Sequence, residues 1–302
     1  MKFRVPMQIA VALALVFAGA AGAHAADKVK AVASFSILGD MVRQVGGNRV
    51  EIVTLVGPDG DAHVYAPTPA DARNLAAANI LVVNGLGFEG WMERLEKSSG
   101  FTGQTVVAST GVTPRQMVEE EGGTPKEIAD PHAWQSLANG KIYVANIRDG
   151  LIAIDPAGKS TYEANAAKYL DAIAKEEASV KQNLAKLPSD RRRIITSHDA
   201  FGYFGAAYGL EVIAPEGVST ESEASAKDVA KIIRQIKALH IPAVFVETVT
   251  DHRLLDQIAR ETGAKIGGTL YTDALSGPDG PAPTYLGMFR HNVGALSAAL
   301  SS

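Results

Sequence analysis

Asp155-Pro156-Ala-Gly-Lys-Ser-Thr-Tyr162-Glu-Ala-Asn-Ala166-Ala-Lys-Tyr169-Leu-Asp-Ala-Ile173-Ala-Lys-Glu-Glu-Ala-Ser-Val180-Lys-Gln-Asn-Leu184-Ala-Lys-Leu187-Pro188 decides how this chain is put together. Tyr162, Ala166, Tyr169, Ile173, Val180, Leu184 and Leu187 recur at three, four or seven residues, which is one apolar stripe on a single helix. Glu163, Lys168, Glu176 and Lys181 fall on its other sides. Asp155-Pro156 supplies a start with proline inside the first turn, and Pro188 supplies a stop. A helix of about thirty residues runs roughly 45 Å, enough to cross one domain and enter the next. Two shorter helices with an unmarked break are the alternative.

On either side of this rod the chain alternates apolar strand-like runs with helical spacing, the pattern of α/β layers around parallel sheet. Before it, strands are expected at 29–33, 50–56, 80–83 and 105–107, with helices at 37–45, 69–78 and 89–97. After it, strands are expected at 193–196, 211–213, 244–247 and 265–268, with helices at 201–208, 226–239 and 251–262. The fold class is therefore α/β: two α/β lobes, each with a mainly parallel sheet flanked by helices, joined by one long rigid helix. The expected boundaries are a leader at 1–25, a first lobe at 26–154, the connecting helix at 155–188 and a second lobe at 189–302. No strand is expected between the last run of the first lobe and the rod. Glu119-Glu120-Glu121-Gly122-Gly123-Thr124-Pro125 reads as an acidic loop, and the three prolines at 278, 281 and 283 stiffen a second one.

The first 25 residues read as a secretory leader. Lys2 and Arg4 make a basic start, an apolar run covers 9–23, and Ala23-His24-Ala25 offers small residues for cleavage after Ala25. The run is too short and too alanine-rich to prefer service as a membrane anchor. The 302-residue chain contains no cysteine, which leaves no disulfide framework, no thiolate metal site and no thiol for a lipid. From this the expectation is a free periplasmic protein, secreted through a cleaved signal peptide and without a lipid anchor. Losing Lys2 and Arg4 takes the formal charge from −4 to −6, so there is no electrostatic footprint for nucleic acid.

Four segments each place one good metal ligand beside a turn. His63 follows the strand at 50–56 through Gly57-Pro58-Asp59-Gly60, and His132, in Asp130-Pro131-His132-Ala-Trp134, ends the acidic loop and begins a helix with Asp130-Pro131 as its entry. His198 comes directly after 193–196, and Asp273 follows the strand region before Tyr271. Three imidazoles and a carboxylate suit a small divalent transition metal. Three of the four lie at carboxyl ends of expected strands, where open α/β sheets hold their ligands. Two come from each half, so a cleft between the lobes would collect them. His240, His252 and His291 read as structural or surface residues. Asp61 and Asp130 read as turn residues, Trp91 and Trp134 as packing. Glu247 either orients a ligating imidazole or is solvated.

The stretch from Gly57 through His63-Val-Tyr65-Ala-Pro67-Thr-Pro69, followed by Ala-Asn-Ile-Leu-Val-Val-Asn-Gly85-Leu-Gly87-Phe-Glu89-Gly-Trp91, resembles the zinc- and manganese-binding solute-binding proteins of metal ABC importers. Asp130-Pro131-His132-Ala-Trp134, Ser197-His198-Asp-Ala-Phe-Gly-Tyr203-Phe204 and Tyr271-Thr-Asp273-Ala-Leu-Ser276 resemble that family's remaining ligand segments, in order. The resemblance implies two α/β lobes on one long helix with little hinge bending, and a metal held between them on His63, His132, His198 and Asp273. It implies a metal ABC transporter permease and its ATPase as partners. His198 stands where manganese-preferring relatives often carry Glu, and a third imidazole shifts preference towards Zn2+, with Mn2+ or both ions as the alternative. The loop before His132 departs from the zinc-specific pattern, being short, acidic and free of histidine. A monomeric carrier that is not an enzyme follows. The rival is a zinc-dependent hydrolase, which needs an open coordination position and a general base. The chain has neither His-Glu-x-x-His nor a Gly-x-Ser-x-Gly elbow. A surface adhesin would need an anchor.

Overall fold

A computed structural model describes residues 28–121, 124–215, 217, 220 and 226–301. The leader expected at 1–25 lies outside the described residues. The first sheet is built from β1 (Val29–Phe35), β2 (Val50–Val56), β3 (Ile80–Val83) and β4 (Gln104–Val107), in the order β2-β1-β3-β4. All its pairings are parallel. The helices α1 (Ser36–Gly46), α2 (Pro69–Ala76) and α3 (Met92–Ser99) connect the strands. The residues of β3 are all buried, as a parallel strand covered on both faces requires. Thr68 and Asp71 cap α2 reciprocally, and Pro69 opens it.

The second sheet repeats this plan. It uses β7 (Arg193–Ile195), β8 (Glu211–Ile213), β9 (Ala243–Glu247) and β10 (Lys265–Leu270), in the order β10-β9-β7-β8. Numbered within each sheet, both orders are 2-1-3-4, and the second sheet is again parallel throughout. Its helices are α6 (Gly202–Tyr208), α7 (Ala226–Leu239) and α8 (Arg253–Thr262), with α9 (Tyr285–Leu300) closing the chain. Ile232, Ile236, Leu255 and Ile258 pack on one side of this sheet beside Val244 and Val246. Phe201, Phe204, Phe245 and Phe289 join the main core on the other side. None of the helices among the described residues is long and apolar enough to cross a membrane.

The rod is one helix, α5 (Lys159–Leu184), of 26 residues. Six of the seven stripe residues fall within it and are buried. It is shorter than 155–188, because Pro156–Gly158 forms a 3-10 turn and the helix caps at Ala185, before Leu187 and Pro188. Asp155 accepts from Gly158 N and Tyr162 OH and pairs with Arg49 at 2.8 Å, which fixes the entry. Glu176 is also buried rather than outward, because its carboxylate meets Arg290 of α9 at 2.7 Å. The helix packs against α1, α9 and a helix that precedes it, α4 (Leu137–Ile154).

One element lies where the sequence suggested none, and a helix expected to begin at His132 begins at Leu137. Residues 119–121 and 124–125 of the segment read as an acidic loop are paired in antiparallel strands, β5 (Gln116–Glu121) with β6 (Thr124–Ala129). That helix is α4, whose glycines lower helix propensity but answer close approaches. A Cβ at Gly140 would stand 2.6 Å from the Tyr285 hydroxyl, and one at Gly150 would overlap a Val106 methyl.

Candidate metal centre

Each candidate ligand is fixed by its own local device. His63 lies on the loop after β2. Asp61 accepts from its backbone N–H at 2.9 Å, Trp91 Nε1 donates to Ala62 O, and the Phe88 ring meets the imidazole edge-on. His132 follows β6. Asp130 Oδ1 accepts from its backbone N–H and lies 3.0 Å from its Nδ1, while Asn84 Nδ2 donates to Pro131 O. His198 comes just past β7. Glu247, at the end of β9, accepts from the backbone N–H groups of Ser197 and His198, and its other oxygen stands 2.6 Å from His198 Nδ1. Asp273 follows β10, and the carbonyl of Thr272 before it accepts from both Trp134 and Gln135.

These four side chains meet in the seam between the sheets, their ligand atoms all within 4.8 Å of one another. His63 Nε2 lies 3.2 Å from His132 Nε2 and 3.4 Å from Asp273 Oδ2. His198 Nε2 lies 3.0 Å from Asp273 Oδ2, and His132 Nε2 3.8 Å from Asp273 Oδ1. Ligands at about 2.0–2.1 Å from a tetrahedral ion stand about 3.3–3.4 Å apart, so the cluster has the dimensions of one coordination shell. His132, His198 and Asp273 are fully buried and His63 nearly so. Both Asp273 oxygens and His198 Nε2 lack a hydrogen-bond partner among the described residues. A buried carboxylate left this way calls for a cation.

The electrostatics agree. Burial works against ionisation of Asp273, but His198 and His132 more than reverse it and hold the carboxyl well below its usual range. Burial likewise opposes a charged His198, yet Glu247 and Asp273 raise its pKa well above the ordinary imidazole value. A divalent ion would take the place of that proton.

Asp130 shapes a turn, as the sequence suggests, and also faces a candidate ligand. Its Asp-x-His spacing was the available signal. Glu247 is fully buried, not solvated. Trp91 and Trp134 pack and also donate. His240 sits in the turn after α7, His252 precedes α8, and His291 on α9 bonds Thr269 O; none is in the cluster.

Residues 31–299 match the family model described as "Zinc-uptake complex component A periplasmic". The chain is 32% identical over 275 residues to the manganese-binding lipoprotein MntA of Halalkalibacterium halodurans, covering 91% of this chain and 89% of that one. It is 34% identical over 272 residues to the iron-binding protein YfeA of Yersinia pestis, covering 90% and 86%. The periplasmic zinc-binding protein TroA of Treponema pallidum superposes with a TM-score of 0.84 at 30% identity, over 90% of this chain and 99% of that one. The lipoprotein name overturns the expectation of a free protein without a lipid anchor. That expectation rested on the missing cysteine, which removes one acyl-carrying thiol and says nothing further about where a member of this fold resides. A buried cluster of three imidazoles and one carboxylate, on a chain matched along nearly its full length, leaves one assignment: this protein belongs to the ZnuA family and is the metal-binding, substrate-binding component of a metal ABC transporter, not an enzyme.

Proposed function

We propose that this protein captures Zn2+ on His63, His132, His198 and Asp273 and presents it to the permease of its transporter as a monomer. The convergence of three imidazole Nε2 atoms on one buried carboxylate carries this reading. Three neutral imidazoles and one carboxylate leave a net charge of about +1 on a zinc site and fill a tetrahedron, with no position for a reacting water. Nitrogen-rich shells favour zinc, and an added carboxylate would favour manganese. Residues 26–154 and 189–302 form the two lobes in this reading, with 155–188 as the connector. Each lobe contributes one 2-1-3-4 sheet to the seam.

The relatives named for manganese and iron make metal competition the deciding experiment. Metal-free protein is titrated with Zn2+ against Mn2+, and the titration is repeated with His198→Glu. The parent is expected to prefer zinc, and the substitution to narrow the gap. A parent that prefers manganese overturns the zinc assignment.

A further inference from the structure

Asp273 is encoded after β10 of the second sheet, and Asn292 of α9 holds Tyr271 two residues before it, but the peptide that carries Asp273 is fastened from the other side of α5. Trp134 Nε1 and Gln135 Nε2 both donate to Thr272 O, each at 2.8 Å. Trp134 O in turn accepts from Tyr285 OH. Two residues beyond Asp273, Leu275 N donates to Ser36 Oγ and Leu275 O accepts from Asp59 N, both at 2.9 Å. Trp134, Gln135, Ser36 and Asp59 all precede α5 in the chain. His198 is held differently. Its backbone N–H bonds Glu247, its carbonyl accepts from Thr196 Oγ1, and the next N–H bonds Gly217 O. All of those groups follow α5.

The double bond to Thr272 O has a direct geometric consequence. A carbonyl oxygen offers two lone pairs, and here both are engaged. The Thr272 carbonyl and the Asp273 amide share one planar peptide unit. Fixing the oxygen from two directions therefore fixes the plane that carries Asp273 N and Cα, and with it the direction in which the carboxylate leaves the backbone. Gln135 is fully buried, so its bond does not compete with water.

We infer that Trp134 and Gln135 are positioning residues for Asp273. Through them His63, His132 and Asp273 form a three-ligand half-site that belongs mechanically to the first lobe, which His198 completes from the second. This rests on reading the four residues as ligands. It makes capture and release a three-plus-one event: parting the lobes withdraws one imidazole and leaves the ion on a preassembled tripod with one open face.

The test is a set of double-mutant cycles on the full chain, read as Zn2+ affinity by chelator competition and Zn2+ release rate by chelator capture. Trp134→Phe keeps an aromatic ring beside His132 and removes the donor together with part of the indole. Gln135→Met removes the second donor without altering that ring. Each is expected to weaken zinc binding about tenfold, the scale of a lost partner to a ligand. In an Asp273→Ala background the same changes should cost less than about twofold, because the group they position is gone. In a His198→Ala background they should keep their full cost. Equal costs in all three backgrounds overturn the positioning role. An Asp273→Ala protein that binds zinc as tightly as the parent overturns the ligand reading instead. Thermal unfolding of the metal-free variants verifies folding, and if Trp134→Phe does not fold, the Gln135→Met cycle decides alone.

Discussion

At the carboxyl edge between β7 and β9, the second sheet places His198 and Glu247 side by side. At the corresponding edge between β1 and β3, the first sheet places Asn84 and a half-buried Glu89. Asn84 donates to Pro131 O and accepts from Tyr143 OH, while Glu89 accepts from Ser34 Oγ and from the N–H groups of Asn84 and Gly85. Burial pushes the Glu89 carboxyl up, against the pull of those donors. Both edges are the point where strand order reverses, which is where such sheets open a crevice. The second sheet fills its crevice with a candidate ligand and its partner. The first fills it with a polar frame that holds the loop carrying His132. Identical topology thus supports two divisions of labour, one in which the edge touches the ion and one in which it steadies what does.

The contrast predicts that damage at the second edge appears in affinity and damage at the first in stability. Glu247→Gln keeps shape and removes charge, and it should weaken zinc binding about 10- to 100-fold. The raised pKa of His198 sets the pH dependence. Its proton stabilises the metal-free fold fully below the unfolded value of about 6.5, and that contribution is lost as pH rises through the raised folded value. Zinc must displace this proton, so affinity should climb with pH across the same window. Glu247→Gln removes one of the two carboxylates that raise the pKa, so the window should move to lower pH. Zinc competition from about pH 5.5 to 8 measures both effects. An unchanged affinity and an unmoved profile would break the comparison on this side.

Asn84→Ala is the matching change at the first edge. It strands the Tyr143 hydroxyl, at about 1–3 kcal/mol for a buried group left unpaired, and takes one of two donors from the Pro131 carbonyl, which keeps Ala133 N. The metal-free protein should melt earlier, while zinc affinity falls less than tenfold. Loss of affinity on the Glu247 scale with no loss of stability would show that the two edges are used alike.

How much of this was legible beforehand depended on the range of the cause. The stripe of α5 is a local periodicity, and its residues are buried as their spacing requires. The inward turn of Glu176 is not local, because its partner Arg290 lies 114 residues away. The helix α4 starts five residues beyond His132, where the Asp130-Pro131 entry pointed, and the reason for its Gly140 and Gly150 is the nearness of Tyr285 and Val106. The hairpin β5-β6 carried a usable signal in Gly122-Gly123, but three successive glutamates drew the reading towards a solvated loop. At the centre, the four residues singled out by their turns are the ones the fold collects. That Asp130 would face His132 Nδ1, and that Trp134 would hold Thr272, depends on strands and loops meeting across the molecule. No spacing records that.

The smallest effect separates the two imidazole–carboxylate pairs by sign. Asp130 Oδ1 lies 3.0 Å from His132 Nδ1, while its other oxygen lies 3.9 Å from the Arg115 guanidinium. That guanidinium also stands 5.9 Å over the Tyr203 ring, and its side chain is 44% exposed. An ion pair this open is worth at most about 1 kcal/mol. Arg115 therefore damps the negative charge that Asp130 lends to His132, and adds a positive charge near a site meant for a cation. Arg115→Gln should tighten zinc binding by about two- to threefold at low ionic strength, with the gain fading as salt screens it. The expected direction is opposite to that of Glu247→Gln, because the charge removed near the candidate ligands is positive here and negative there. Zinc competition at two salt concentrations reads it. A weaker site in place of a tighter one would mean that Arg115 holds Asp130 in position, and the first lobe's pair would then work as the second lobe's does.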